Sequence, residues 1–240
     1  MIMFLRRLFR LDKFDDRVPT IENPSPYIRP PAVEPSPSEA TPPSEEAVTQ
    51  AFEDLRFRLR ADIAAGFLSR ELILEGAVDY VEDQIDPALA RAEAERLWPQ
   101  LVTEHREIQA EWPEQTDCDR LDAAFAALEA AGIISRQNFS CCGTCGSAEI
   151  GDEIGAAEDA GLPAHGYAFY HMQDTDSATE GSGLYLNYGA CEEGEDAALA
   201  VANQIVAELE AHGLSTAWTG SWNQRIAVPL EWKRRSDYAV

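Results

Sequence analysis

Three of the five cysteines in this 240-residue chain stand within five residues, in the stretch NFSCCGTCGSAEIGDE from Asn138 to Glu153. Cys142 and Cys145 form a CxxC pair, Cys141 adjoins it, and Gly146 follows directly. In a metal knuckle, two thiolates at this spacing grip one ion, and a glycine after the second lets the backbone turn its amides toward sulfur. Zinc takes four such ligands in a tetrahedron. The chain has no second CxxC, so further ligands must come from Cys141, Cys118, Cys191, His165 or His171. The same pair supports a second chemistry. At a helix N-terminus the unpaired amides and the positive dipole end stabilise a thiolate, which suits thiol–disulfide exchange by Cys142 and Cys145. A helix predicted to begin near Ser147 meets that condition, whereas Glu149, Asp152 and Glu153 crowd its first turns with negative charge. No thioredoxin-type strand with a cis-proline partner is evident. The third option is packing alone, because free cysteine is among the most buried residue types. Spacing leaves metal, redox and packing open.

His171, followed by Gln173, Asp174 and Asp176, has the composition of a general base with an orienting carboxylate, which makes His171 and Asp174 acid/base candidates, or of a metal-binding edge. A histidine at a strand end also serves simply to hydrogen-bond a polar turn. The stretch DTDSATEGSG lacks the glycine and final glutamate spacing of a calcium loop. Tyr167, Tyr170, Tyr185 and Tyr188 suit packing across paired strands, and Trp218, Trp222 and Trp232 suit packing or anchoring of a partner. The chain has no phosphate loop, GxGxxG, HExxH or GxSxG motif, which removes the commonest nucleotide, metalloprotease and hydrolase chemistries.

These residues need elements to hold them. Val48, Phe52, Leu55, Leu59, Ile63 and Phe67 recur at helical steps, with Gly66 marking a stop. Ser69 caps a second helix, Asp86–Pro87 opens a third, and Pro99 is expected to break or kink it. A fourth runs from Asp117 to Gly132 with Leu121, Phe125 and Leu128 on one face. The period then changes. Strands are expected at 133–140, 166–172 and 184–190 and through Ile226, Val228, Leu230 and Trp232, with helices at 147–160 and 196–212 and a loop between Gln173 and Gly183. The order strand, helix, strand, strand, helix, strand matches the split βαβ or ferredoxin-like plan, an antiparallel sheet with helices on one face. Pro229 suits its edge strand. Ser135, Arg136, Gln137 and Asn138 are polar for the central position which that plan gives the first strand. The plan would bring Cys191 and His165 near Cys142 and Cys145 and send His171 to the opposite edge; any other strand order makes His171 the better fourth ligand.

The fold class expected is therefore α+β, in four parts: a basic amphipathic start at 1–18, a proline-rich linker at 19–43, a helical region at 44–113, and an α+β domain at 116–235 holding the cysteine cluster. Nine prolines fall between Pro19 and Pro43, with few sizeable apolar residues to fold around. The net charge is -24, and no Lys or Arg occurs from Gln137 to Gln224. That field repels phosphate backbones, so nucleic acid is not an expected partner. Residues 1–14, with Arg6, Arg7 and Arg10 among apolar side chains, suit weak contact with an anionic membrane surface and do not suit a secretory signal. An odd, clustered cysteine count argues against a disulfide framework and for a reducing cytoplasm.

The segments TDCDRLDAAFAALEAAGI, FSCCGTCGSAEIGDE and GYAFYHMQDTD, with the tail from Trp218 through WKRR, resemble an uncharacterised, chiefly actinobacterial domain family of unknown function. The resemblance spans roughly Leu55 to Arg235 and implies no catalytic role for any residue. The expectation is a non-catalytic binding or accessory protein with a protein partner, its cysteine turn structural or holding zinc. The alternative is a thiol–disulfide redox enzyme using Cys142 and Cys145.

Overall fold

A computed structural model of the protein describes residues 43–239, and these belong to one compact unit. The basic segment 1–18 and the proline-rich segment 19–43 lie outside the described residues, Pro43 excepted.

Three helices come first. α1 (Glu45–Ala65) is capped by Ser44 and stopped by Gly66 in the left-handed region, φ 76°. α2 (Arg70–Asp79) is capped by the Ser69 hydroxyl, which accepts from the Leu72 amide. α3 (Pro87–Ala110) is capped by Asp86, with Pro87 in its first turn. The helical period predicts this packing: Leu55, Leu59 and Ile63 bury against Ile73, Leu74, Leu97, Trp98 and Leu101 in one apolar cluster. α3 runs on through Pro99 as one helix, so of the expected break or kink the break does not occur. Pro99 lies on the exposed side while Leu97, Trp98, Leu101 and Val102 around it are buried. Packing of that stripe outweighs one lost helical hydrogen bond.

α4 (Asp117–Ala130) begins with a capping box between Thr116 and Asp119. Then follow β1 (Ile133–Arg136), α5 (Gly143–Asp159), β2 (Gly166–Phe169), α6 (Met172–Thr179), β3 (Leu184–Ala190), α7 (Glu195–Ala211) and β4 (Ile226–Val228). The class is α+β with a helical N-terminal region, as expected, but the sheet is mixed. Its order is β1-β2-β3-β4, with β1 and β2 parallel and the other neighbours antiparallel. The ferredoxin-like plan puts the first strand inside the sheet, and here it lies at the edge. Arg136 supplies the physical reason, because its guanidinium reaches Glu129 and Glu153 beyond the edge, and the Ser135 backbone amide donates to Glu129 as well.

A second correction concerns the 173–183 segment, expected as a loop. Met172 to Thr179 form α6, opened by a capping box of His171 and Asp174. The strands also end sooner than expected, at Arg136 and Phe169, and His171, two residues past the second, already caps α6. β4 is the other edge, and Pro229 follows its last residue, where no ladder donor is needed.

Alternation along β2 sorts the two faces of the sheet. Gly166 and Ala168 face α7, since a Cβ on Gly166 would stand 2.7 Å from Val201. Phe169 points the other way, and its ring lies against Gly146 of α5. The main core therefore sits between the sheet and the α4–α7 pair, built on Leu121, Phe125, Leu128, Ile205 and Leu209 against Ile133, Leu186 and Ile226. α5 alone covers part of the second face.

Candidate metal-thiolate centre

Because β1 and β2 run parallel, the segments that leave their carboxyl ends share one edge of the sheet. The cysteine loop leaves β1 and the chain through Tyr170 and His171 leaves β2. The two are tied together: the Phe139 amide donates to the Tyr170 carbonyl at 2.8 Å, and the Met172 amide to the Ser140 carbonyl at 3.1 Å. Reaching these bonds puts Asn138 and Ser140 at φ 51° and 61°, in the left-handed region that L-residues seldom occupy. Asn138 tolerates this, and its Oδ1 accepts from Thr175 Oγ1 at 2.8 Å. The bend delivers Cys141 and Cys142 to the mouth of α5.

α5 starts at Gly143, four residues before the expected Ser147, so Cys142 is its N-cap and Cys145 sits in the first turn. Gly146 lets the helix come this close, and Gly143 lies beside His171 and Asn187, where a Cβ would make ordinary contact. A Cβ on Gly146 would stand 2.5 Å from the Phe169 ring, and one on Gly143 would stand 3.5 Å from the His171 ring and 3.8 Å from Asn187 Oδ1. Their i, i+3 spacing was visible in the sequence, but only the strand beside them shows what that bare face meets.

Cys141, Cys142 and Cys145 bring their three sulfurs within 4.8 Å of one another and could hold a metal ion. All three are free thiols, Cys141 exposed and the other two half-buried. No side-chain capping hydrogen bond closes on Cys142. Even so, the amide and thiol of Cys145 face its sulfur, with the Cys141 thiol and Thr144 amide adding to them, and hold the Cys142 thiol below its usual range. Cys145 moves the opposite way. Hydrogen bonding to the Cys141 and Cys142 sulfurs, with the repulsion a second negative charge would meet there, pushes it up to about 11.

His171 lies at the same edge, buried, beside Gly143. Its Nδ1 accepts from the Asp174 amide at 3.3 Å, and its Nε2 stands 3.1 Å from Asp174 Oδ2. Burial lowers its pKa, and the opposing pull of Asp174 is blunted by Arg225, whose Nη2 donates to the same carboxylate oxygen. His171 and Asp174 are thus a helix cap tied to an arginine, with the imidazole held neutral.

The other candidates lie elsewhere. Cys191 and His165 sit at the opposite end of the sheet, where the Cys191 amide donates to the His165 carbonyl at 3.0 Å and His165 Nε2 pairs with Gln204 Oε1 at 3.0 Å. The expected approach of these two residues to the CxxC pair went with the ferredoxin-like order, and the parallel β1–β2 pairing brings His171 instead. Cys118 is buried under the C-terminal segment, its sulfur accepting from the Lys233 amide, and burial pushes its thiol up to about 11. Asp176 turns to Arg58 of α1 at 3.6 Å. Arg225 and Asn187 were not among the expected site residues. The first cation after Arg136 in the chain was the available signal for Arg225.

No helix among the described residues is long and apolar enough to cross a membrane. A family model described as a domain of unknown function, DUF6891, matches residues 48–236. No curated protein and no solved structure matches the chain.

Proposed function

The chain belongs to that family, and we propose that in this member the turn of Cys141, Cys142 and Cys145 is a zinc-binding thiolate site in a non-catalytic accessory protein. The observation behind the reading is the convergence of three sulfurs within 4.8 Å at the first turn of α5. Thiolates are the donors that zinc and softer cations select, at Zn–S distances of about 2.3 Å. Three tetrahedral corners come from cysteine. His171, beside Gly143, is the imidazole placed nearest to that turn by the parallel strands, yet the cluster itself closes at three sulfurs. The fourth corner is then open to solvent or to a group from a protein partner, which suits uptake and transfer of a cation better than a closed structural knot. Thiols that must stay reduced to bind metal fit a cytoplasmic setting.

One observation favours a second reading, thiol–disulfide exchange. The Cys142 thiol is lowered and the Cys145 thiol raised, the polarity of an attacking and a resolving cysteine. In that chemistry the Cys142 thiolate attacks a substrate disulfide and expels one thiolate. Cys145 then gives up its proton and attacks Cys142, releasing the second substrate thiol and leaving a Cys142–Cys145 disulfide. Metal content separates the two. Protein purified without chelator should carry about one zinc per chain, with three thiols unreactive until a chelator is added. Chain that stays metal-free after zinc dialysis, with a Cys142–Cys145 disulfide that forms and reduces reversibly, would overturn the zinc assignment in favour of exchange.

A further inference from the structure

We propose a second site, independent of the cysteines: the cavity on the open face of the β3–β4 half of the sheet binds a small one-ring carboxylate. α5 covers the second face only as far as β2, so Tyr185 on β3 is 45% exposed and Trp222, in the loop before β4, is 49% exposed. Between that loop and α5 lies a cavity of about 230 Å³, with Tyr167 and Trp222 as aromatic walls and Ser147, Asn187 and Arg225 as polar ones. The walls are held in place. The Trp218 indole donates to the Ser221 and Gln224 carbonyls at 3.2 Å, and Tyr188 packs edge-on against Trp218 at 5.9 Å.

Charge selects the ligand class. In a chain of net charge -24, Arg225 is the one charged side chain lining this cavity among the described residues, and no acid among them lines it. The guanidinium is anchored by Nη2 to Asp174 and to the Tyr185 carbonyl. That leaves its other donors unused, and Arg225 Nε and Asn187 Nδ2 have no hydrogen-bond partner among the described residues. Both are donors, so the group that satisfies them carries acceptor oxygens. With Nη2 engaged, one carboxylate oxygen accepts from the fixed Arg225 Nε and the other from Asn187 Nδ2, and an attached ring stacks on the aromatic walls. The cavity is smaller than the roughly 300–1,000 Å³ of drug-sized pockets, which limits the ligand to about one ring.

Benzoate is the probe, titrated into the full chain and followed by the Trp222 indole and Asn187 side-chain amide signals in a nitrogen–proton spectrum. Saturable shifts centred on those two groups are expected, and benzamide, which has the same shape without the charge, should bind about tenfold more weakly or worse. Trp222→Ala and Asn187→Leu should each weaken benzoate by about tenfold. Arg225→Lys should do the same, and where loss of the Asp174 tie unfolds that variant, the exposed Trp222→Ala decides. Equal binding of benzamide, shifts centred elsewhere, or unchanged affinity in Trp222→Ala would overturn the assignment.

Discussion

Cys142 and Cys145 are three residues apart in one turn, yet their environments pull their protons in opposite directions. Cys142 faces amides that favour its thiolate, while the Cys145 thiol is held protonated by hydrogen bonds to its two sulfur neighbours. Alkylation rate against pH should therefore show the pair losing its first proton below the ordinary thiol value of 9.0 and its second near 11. In Cys145→Ala the early midpoint should move upward, since the Cys145 thiol donor is lost while the backbone amide at 145 stays; a midpoint unmoved in that variant would contradict the assignment. The adjoining histidine makes a separate prediction. Burial lowers the His171 pKa from 6.5, so the unfolded chain takes up a proton there before the folded one does. The contribution is fully present well above pH 6.5 and is lost as pH falls through and below that value. His171→Asn keeps an acceptor for the Asp174 amide and removes the titration. Urea unfolding should show a smaller loss of stability between about pH 7 and 5 in this variant than in the parent, His105 being depressed by burial in both. Equal slopes would contradict it.

At the scale of elements, α5 owes its position to Gly146, which faces the end of β2. Gly146→Ala places a methyl 2.5 Å from the Phe169 ring, which should cost ~1–3 kcal/mol and move the first turn and its sulfurs. Gly151→Ala on the same helix meets nothing within 4 Å and should stabilise by roughly 0.5–1 kcal/mol. Denaturant unfolding of the pair checks this, and equal effects would show that close approach is not what fixes the helix. Much of this level could be read from the chain. The apolar stripes, the Ser69 cap, the Asp86–Pro87 start and the glycine stops at Gly66 and Gly132 predict α1 to α4, because each signal is local. The start of α5 was misplaced because glycines and cysteines carry no helix signal of their own, and α6 was missed because its cap uses a histidine side chain in place of serine or threonine. Strand order lay beyond local pattern altogether. It depends on which strands pair, and only the polar end of β1 hinted at an edge.

Across the whole molecule, the last residues bind the helical layer to the sheet layer. The Trp232 indole donates to the Ala64 carbonyl at 3.0 Å, its ring lies 6.0 Å from Phe67, and Arg234 sits 4.2 Å above that phenylalanine while pairing with Asp122 of α4. Further on, Tyr238 meets Trp98 edge-on at 5.6 Å, and the Trp98 indole donates to the Ala239 carbonyl. Trp232→Ala should cost ~2–4 kcal/mol, and removal of residues 230–240 should split one cooperative unfolding transition into two. A single transition in the truncated chain would show that the layers hold without this strap. The candidate site was legible as residue types, since CxxC and a third adjacent cysteine stand in plain sequence, but its neighbours were not. His171 joined that edge, and Cys191 and His165 left it, through the parallel pairing of β1 with β2. The measurement that reaches the centre of the account is the absorption spectrum of the chain titrated with cobalt(II) in place of zinc. The account predicts saturation at about one cobalt per chain, with intense tetrahedral ligand-field bands and sulfur-to-cobalt charge transfer that drops by about a third in Cys141→Ser. Weak octahedral bands without charge transfer, or a spectrum unchanged by removing any of the three cysteines, would contradict it.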